Sequence, residues 1–326
     1  MYYTILGSMG VENILITGAS GQLGAVLTKS LQQKFGIDHV IATDLRPNKE
    51  ARGIFEKLDA TDPEALKQVV KRYKVTQIYH MVAILSAKGE AFPQKTWDIN
   101  MGTLLNVLEI SRLLKVKKVF YPSSIAVFGH HISRINTPQF SNLTPTTVYG
   151  MTKVAGENWG NYYFNTYQLD VRSIRYPGVI GYQSLPGGGT TDYAVDIYHK
   201  AVKQEPFECF LKASTRLPMM YIEDAVRASI ELMDAPAEKL SVRTSYNIAG
   251  MSFSPEDIVA SIRKTYPNFE VRYNPDFRQK IADSWPMSID DSKAREDWGW
   301  KPRYDLDAMS RVMIENLKSY YNSVIA

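Results

Sequence analysis

Tyr149 and Lys153 are the residues of this chain whose types and spacing most directly allow chemistry. They stand four apart in Tyr149-Gly150-Met151-Thr152-Lys153, at the start of a stretch that reads as a helix. Residues four apart share one helical face. A free phenol has a pKa of roughly 10 and a lysine ammonium one of about 10.4. An ammonium held near the phenol favours the phenolate. Lowering the phenol by ~3 units takes about 4 kcal/mol of differential stabilisation. Such a tyrosine would take an alcohol proton at neutral pH. Tyr-x-x-x-Lys is common by chance, so its meaning depends on its surroundings.

A second set lies near the N-terminus. Gly18-x-x-Gly21-x-x-Gly24 follows a β-branched run, Asn13–Thr17, and opens an amphipathic stretch that reaches about Lys34. Strand, glycine turn and helix in that order form the setting in which a pyrophosphate sits against backbone N–H groups at a helix N-terminus. Asp44 follows Gly24 by 20 residues, at the end of the second expected strand. There a carboxylate holds the adenosine ribose hydroxyls and disfavours a 2′-phosphate. These features predict NAD as cofactor, with Arg46 leaving room for NADP. Asp59, at the end of the third expected strand, could accept from the adenine amino group or cap the following helix.

These residues need elements to hold them. Expected strands at Asn13–Thr17, His39–Thr43, Ile54–Leu58, Gln77–His80, Lys118–Tyr121 and Val171–Tyr176 alternate with helices, among them Thr96–Leu114 and one from Tyr149 to about Gln168. Asp62-Pro63-Glu64 opens the helix after the third strand, as cap and first turn. Pro122-Ser123-Ser124 is expected to stop the fifth strand. Alternation over some 160 residues predicts an α/β fold, a Rossmann-type doubly wound parallel sheet with helices on both faces. Residues 11–176 form the expected dinucleotide-binding domain, with 217–248 returning to it. Residues 177–216 and 249–320 form a smaller C-terminal substrate-binding lobe. Ligands bind outside the carboxyl ends of parallel strands, so Ser123 and Ser124 should share an edge with the glycine loop.

Bulk properties narrow the classes. Basic and acidic residues number 38 and 34 and are interspersed, which argues against nucleic acid or an anionic membrane surface as partner. No stretch approaches the ~20 apolar residues of a membrane-spanning helix. Met1–Gly10 lacks the basic start and apolar centre of a secretory signal and reads as an extension before the first strand. One cysteine, Cys209, and five scattered histidines give no structural zinc set, so no metal is expected. The expected location is cytoplasmic.

The glycine loop, Ser124, Tyr149 and Lys153 together resemble the extended short-chain dehydrogenase/reductase superfamily, over nearly the whole chain. Ser123-Ser124-Ile125-Ala126-Val127-Phe128-Gly129, His80-Met81-Val82-Ala83 and Tyr221-Ile222-Glu223-Asp224 carry the resemblance further. It implies that Tyr149 exchanges the substrate's hydroxyl proton. It implies that Lys153 holds the nicotinamide ribose and tunes Tyr149, and that Ser124, with Ser123 as a substitute, hydrogen-bonds the reacting oxygen. It adds Gln22, Leu23, Ala83 and Tyr176 to the cofactor set. Nucleotide-sugar epimerases, dehydratases and reductases of this superfamily resemble one another in diphosphate-gripping residues that are missing here. The stretch Lys212–Met220 keeps only Arg216 as a strong phosphate candidate. A non-catalytic dinucleotide sensor is the alternative of another class, and it would have no need of Ser124, Tyr149 and Lys153.

Val82–Ala87, Tyr176–Ile180, Gly187–Ala194, Pro218–Tyr221 and Ser284-Trp285-Pro286 resemble the short-chain family of L-threonine 3-dehydrogenases. That resemblance implies L-threonine as substrate, Ser86 and Thr190 holding its amino-acid portion, and Gly189 and the Trp285 segment closing over it. Three consecutive glycines, Gly187–Gly189, suit the hinge of a lid that excludes water. The implied reaction is oxidation at the β-carbon to 2-amino-3-oxobutyrate, a β-keto acid able to lose CO₂. The Tyr149 helix is apolar on more than one face, where a helix lying on a sheet should bury one stripe. A homodimer through Trp97–Leu114 and Val148–Gln168 is therefore expected.

Overall fold

Ile14–Thr17 (β1) is wholly buried and pairs in parallel on both sides, with Val40–Asp44 (β2) and with Gln77–His80 (β4). The structure, a computed structural model, describes residues 11–47, 52–183, 185, 187 and 189–325. The expected extension Met1–Gly10 lies outside the described residues. Among the described residues the main sheet has seven strands, ordered β3 (Ile54–Lys57), β2, β1, β4, β5 (Lys118–Ser124), β6 (Asp170–Tyr176) and the short strand Tyr246–Asn247. Its pairings are all parallel. The order reverses between β1 and β4, which opens a crevice at their carboxyl ends.

Strand residues alternate between two cores, as the period of two requires. Ile14, Ile16, Val40, Ala42, Tyr79 and Phe120 face one apolar cluster. Leu15, Ile41, Ile78, Val119 and Tyr121 face the other. The second core is closed by helices α2 (Pro63–Arg72), α4 (Pro93–Leu113) and α5 (Val148–Tyr167), through Leu66, Val69, Leu104, Leu108 and Tyr163. The first is closed by α1 (Gln22–Phe35) and the helix Ile222–Asp234. It continues into the later elements as far as Trp300, Met309 and Met313. The short α3 (Ser86–Gly89) sits between β4 and α4. Beyond β6, Gly178–Ile180, Leu217–Tyr221 and Met251–Phe253 form a second sheet.

Several boundaries differ from expectation for physical reasons. β5 runs through Pro122 to Ser124, its last residues pairing with β6 up to Tyr176. β4 pairs with it only as far as Phe120. A proline is tolerated where no ladder N–H is needed, and the Pro122 carbonyl accepts from Lys153 Nζ. The late helix begins at Ile222, so Glu223 and Asp224 lie in its first turn, where acidic side chains favour the helix dipole. Asp62, not Asp59, caps α2, accepting from Glu64 N and Ala65 N at 3.0 and 3.1 Å.

α5 begins at its cap Thr147, whose hydroxyl accepts from Gly150 N at 3.0 Å. Gly150 itself lets the first turn lie against the end of β5. A Cβ there would overlap the carbonyl oxygen of Ala126. Gly150→Val should therefore push α5 off that turn, costing about 1–3 kcal/mol from overpacking. Thermal unfolding is expected to show a lower melting temperature than wild type, with alanine intermediate between glycine and valine.

Candidate active site

At the cofactor end, β1 delivers the glycine loop and Gly21 stands as the N-terminal cap of α1. Gly24 lies against the loop: a Cβ there would overlap the carbonyl oxygen of Gly18. The loop thus folds tightly onto the helix and leaves the first-turn N–H groups of Gln22 and Leu23 at its open end. Asp44, the last residue of β2, accepts from Ser20 N at 3.0 Å. That bond places a carboxylate beside the loop at the crevice. A backbone cradle of N–H groups with an acid beside it fits a dinucleotide. Asp59 binds Thr61, through its N at 2.9 Å and its hydroxyl at 2.7 Å, and these bonds hold its carboxyl below the ordinary value. Tyr176 is buried with its hydroxyl bonded to Ser229, and that hydroxyl is turned toward the helix Ile222–Asp234.

The chemical end gathers around the first turns of α5. Tyr149 is half-buried with the Ser124 side chain near its hydroxyl, and Ser124 Oγ accepts from Ala126 N at 3.2 Å. Lys153 is buried, and its ammonium donates to the Pro122 carbonyl at 2.6 Å. It lies 4.6 Å from the Tyr121 ring centre and 5.3 Å from that of Tyr149. Ser123 is turned the other way, its hydroxyl donating to Glu157 Oε1 at 2.6 Å. Of the two serines, then, Ser124 faces the tyrosine and Ser123 is committed beneath it.

The expected lowering of the tyrosine is reversed here. Burial pushes Tyr149 up to about 12, opposed by the nearby Ser124 side chain. Burial also pushes Lys153 down to about 7, opposed by the Glu157 charge. The lysine sits over the rings and on a carbonyl, not beside the phenol oxygen, so desolvation wins for both groups.

The segment after β4, which carries Ala83, is held by Asn100 of α4. Its side chain accepts from Ile84 N at 2.8 Å and donates to Ile84 O at 3.1 Å. The same amide reaches Thr152 of α5 at 3.2 Å. α3 follows, and Glu90 at its end accepts from Val148 N at the start of α5. Ser86 and Thr190 are both buried, with hydroxyl oxygens 3.4 Å apart across 104 residues of chain. Gly189 N donates to Asp192 at 2.8 Å, so its loop is held as a turn. Gly188 of the expected hinge lies outside the described residues.

Trp285 is buried in the larger core and its carbonyl accepts from Arg134 Nε. Its neighbour Ser284 meets Thr146 at 3.0 Å, just before the cap of α5. Arg216 is tied to Ser252 O at 2.6 Å and to Asp257 at 2.7 Å. Sequence reasoning passed over Asn100, Glu157 and Arg175. Glu157 had a visible signal, since it continues the four-residue spacing of Tyr149 and Lys153. Arg175 had none, because its partner lies on another element.

Three sets of known proteins resemble this chain. Residues 14–249 match the model of the NAD dependent epimerase/dehydratase family. An uncharacterized epimerase/dehydratase of Staphylococcus saprophyticus is 45% identical, over 94% of this chain and 98% of its own length. Among solved structures, the holo form of a GalE-like L-threonine dehydrogenase from Cupriavidus necator is 53% identical. It has a TM-score of 0.92 and covers 94% of this chain and 100% of its own. A monomeric L-threonine 3-dehydrogenase from a metagenome is 46% identical with a TM-score of 0.91, covering 94% of this chain and 99% of its own.

A depressed lysine has a definite consequence for stability. Between pH ~7 and ~10 the unfolded chain holds a proton that folded Lys153 has released, so this group's contribution rises with pH and is lost as pH falls through about 7. Denaturant unfolding of the cofactor-free protein at pH 7 and pH 9 should show Lys153→Met gaining relative to wild type at the lower pH. An equal difference at both would sink the assignment.

Proposed function

The chain belongs to the NAD dependent epimerase/dehydratase family, and on that premise we propose that it oxidises L-threonine at the β-hydroxyl to 2-amino-3-oxobutyrate. NAD is its cofactor and its chemistry is that of an NAD-dependent oxidoreductase. The observation that carries the choice of substrate is the likeness, over nearly all of both chains, to solved L-threonine dehydrogenases. Two features of the site agree with it. Ser86 and Thr190 bring paired hydroxyls into reach of a small polar substrate. Arg216, the phosphate candidate of the nucleotide-sugar reading, is engaged with Asp257 and Ser252.

The residues divide the work. NAD supplies the acceptor for the substrate's hydride. The glycine loop, the first N–H groups of α1 and Asp44 would hold it, with Lys153 toward its nicotinamide ribose. Tyr149, as phenolate, takes the hydroxyl proton, and Ser124, near the Tyr149 hydroxyl, steadies the same oxygen. Ser86 and Thr190 orient the amino-acid portion. The Trp285 segment, fastened at Ser284 to the turn before α5, helps keep water out.

Mixing the protein with NAD and L-threonine, with UDP-glucose, UDP-galactose and L-serine in parallel, tests this by absorbance of the reduced cofactor. L-Threonine should be the preferred substrate, and Tyr149→Phe should lose about 10²–10⁴-fold in kcat. Because burial holds the phenol near 12, kcat/KM for oxidation should climb between pH 7 and 10. Turnover of a nucleotide sugar without turnover of threonine would overturn the substrate.

We also propose a homodimer. Trp97, Leu113, Met151, Trp159, Tyr162 and Tyr167 of α4 and α5 are exposed, Tyr162 at 47%. On α5, Trp159, Tyr162, Tyr163 and Tyr167 form a run of edge-to-face and tilted rings. An apolar patch of this kind marks an interface. One similar protein is monomeric by its name, so the state needs direct measurement. Sedimentation should give twice the chain mass at micromolar concentration, and Tyr162→Glu should give the single mass. Monomer alone in wild type would remove the proposal.

A further inference from the structure

Beneath the Tyr149 turn lies an ion pair that the proposed chemistry does not use. Glu157 and Arg175 are both buried, their side chains 1% and 4% exposed. Arg175 Nε donates to Glu157 Oε1 at 2.9 Å and Nη2 to Oε2 at 2.7 Å, a two-pronged bond. The remaining Nη1 donates to Gln139 O at 2.9 Å and Asn247 Oδ1 at 3.1 Å. The guanidinium also lies 5.3 Å from the Phe128 ring centre. Each guanidinium nitrogen has an acceptor, and five parts of the chain meet here: β5, α5, β6, the segment at Gln139 and the strand Tyr246–Asn247.

Stability alone is a weak reason for such a pair. Desolvating two charges costs several kcal/mol, and well-packed apolar residues of similar volume often serve as well or better. What an apolar pair could not do is accept from Ser123. The Ser123 hydroxyl donates to Glu157 Oε1 at 2.6 Å, the same oxygen that receives Arg175 Nε. Successive strand side chains point to opposite faces. Fixing Ser123 toward α5 therefore fixes Ser124, one residue on, away from Glu157, and it is Ser124 that stands near the Tyr149 hydroxyl. Glu157 also stands one helical turn beyond Lys153, on the stripe that Tyr149 begins.

We propose that Glu157 is a positioning residue for this site, holding Ser123 inward so that Ser124 meets Tyr149, and setting a negative charge beneath the Lys153 ammonium. The groups that face Lys153 are Tyr149 and Glu157 from α5, Tyr121 and the Pro122 carbonyl from β5, and His80 from β4. Arg175, from β6, partly offsets the Glu157 charge. His80 is buried and held uncharged, pushed down to about 3 by burial and by Lys153. Tyr149 and Tyr121 are pushed up by burial and stay neutral. Glu157, paired with Arg175, is the one acidic side chain among these neighbours.

The inference rests on Tyr149 and Lys153 as the proton-handling pair, and its test separates the two readings. With 13C-labelled lysine, the Nζ-adjacent carbon of Lys153, assigned by its loss in Lys153→Met, reports the lysine's titration in the cofactor-free protein without any turnover. Glu157→Gln should move that midpoint down by about one pH unit. It should also shift the rising limb of kcat/KM for L-threonine downward, because losing an anion favours the phenolate. A strut alone would lower kcat evenly across pH and leave both midpoints in place, and that result overturns the proposal. If wild type fails on threonine, the substrate reading falls while the lysine titration still decides this one. Should Glu157→Gln not fold, Ser123→Ala strands no charge and carries the test. There kcat should fall about tenfold with NAD affinity, by calorimetry, unchanged; an unaltered kcat overturns it.

Discussion

Burying a lysine at the end of a sheet is the constraint on which the rest of this structure depends. Lys153 has to stand within reach of Tyr149, and that place is the floor of the crevice, out of water. A cation there loses its hydration and needs acceptors. β5 supplies one by running on past its neighbour β4, so that the Pro122 carbonyl, beyond the last β4 pairing though still alongside β6, accepts from the ammonium. Proline suits that position because it has no N–H to leave stranded. Tyr121 offers a ring face and Glu157 a counter-charge. The helix, the strand end and the ion pair below them are one solution to one electrostatic problem.

The opposing shifts of Tyr149 and Lys153 follow from the same burial. A phenol and an ammonium brought into a dry site move in opposite directions, the phenol up and the ammonium down, because each resists its charged form. The cofactor-free protein therefore keeps a neutral tyrosine over a lysine that titrates near neutrality. Four-residue spacing makes the two neighbours. It does not make the ammonium point at the phenol oxygen, and here it points at a carbonyl.

That distinction marks what could be read from the chain. β1, β2 and β3 were legible because each is a short apolar run closed by a glycine or an aspartate, and Asp62-Pro63 announced α2, with Asp59 left as a second candidate for its cap. The glycine loop and Asp44 were legible because local sequence dictates their geometry. Pro122 misled, since a proline stops a strand only when its N–H is needed, and that depends on where β4 ends. The roles of Ser123 and Ser124 were equally hidden. Adjacent serines are alike in sequence, and only Glu157, arriving from another element, tells them apart.

Contacts made far along the chain set the rest. Ser86 and Thr190 meet across 104 residues, and Ser284 reaches Thr146 across 138. No periodicity encodes such meetings; resemblance named Ser86 and Thr190 together, and the Ser284–Thr146 contact was not foreseen. Their placement divides the labour of the fold. On the proposed function, proton and hydride chemistry is held on the sheet edge and α5, where close approach at Gly150 and the ion pair at Glu157 leave little freedom. The substrate-facing groups sit on connecting segments that ride on those elements: α3 through Glu90 on the start of α5, and the Trp285 segment through Thr146 on its cap. A change in those segments can alter which alcohol is held while the oxygen still arrives at Tyr149 and Ser124. On the proposed function, the residues that choose the substrate therefore differ from those that oxidise it.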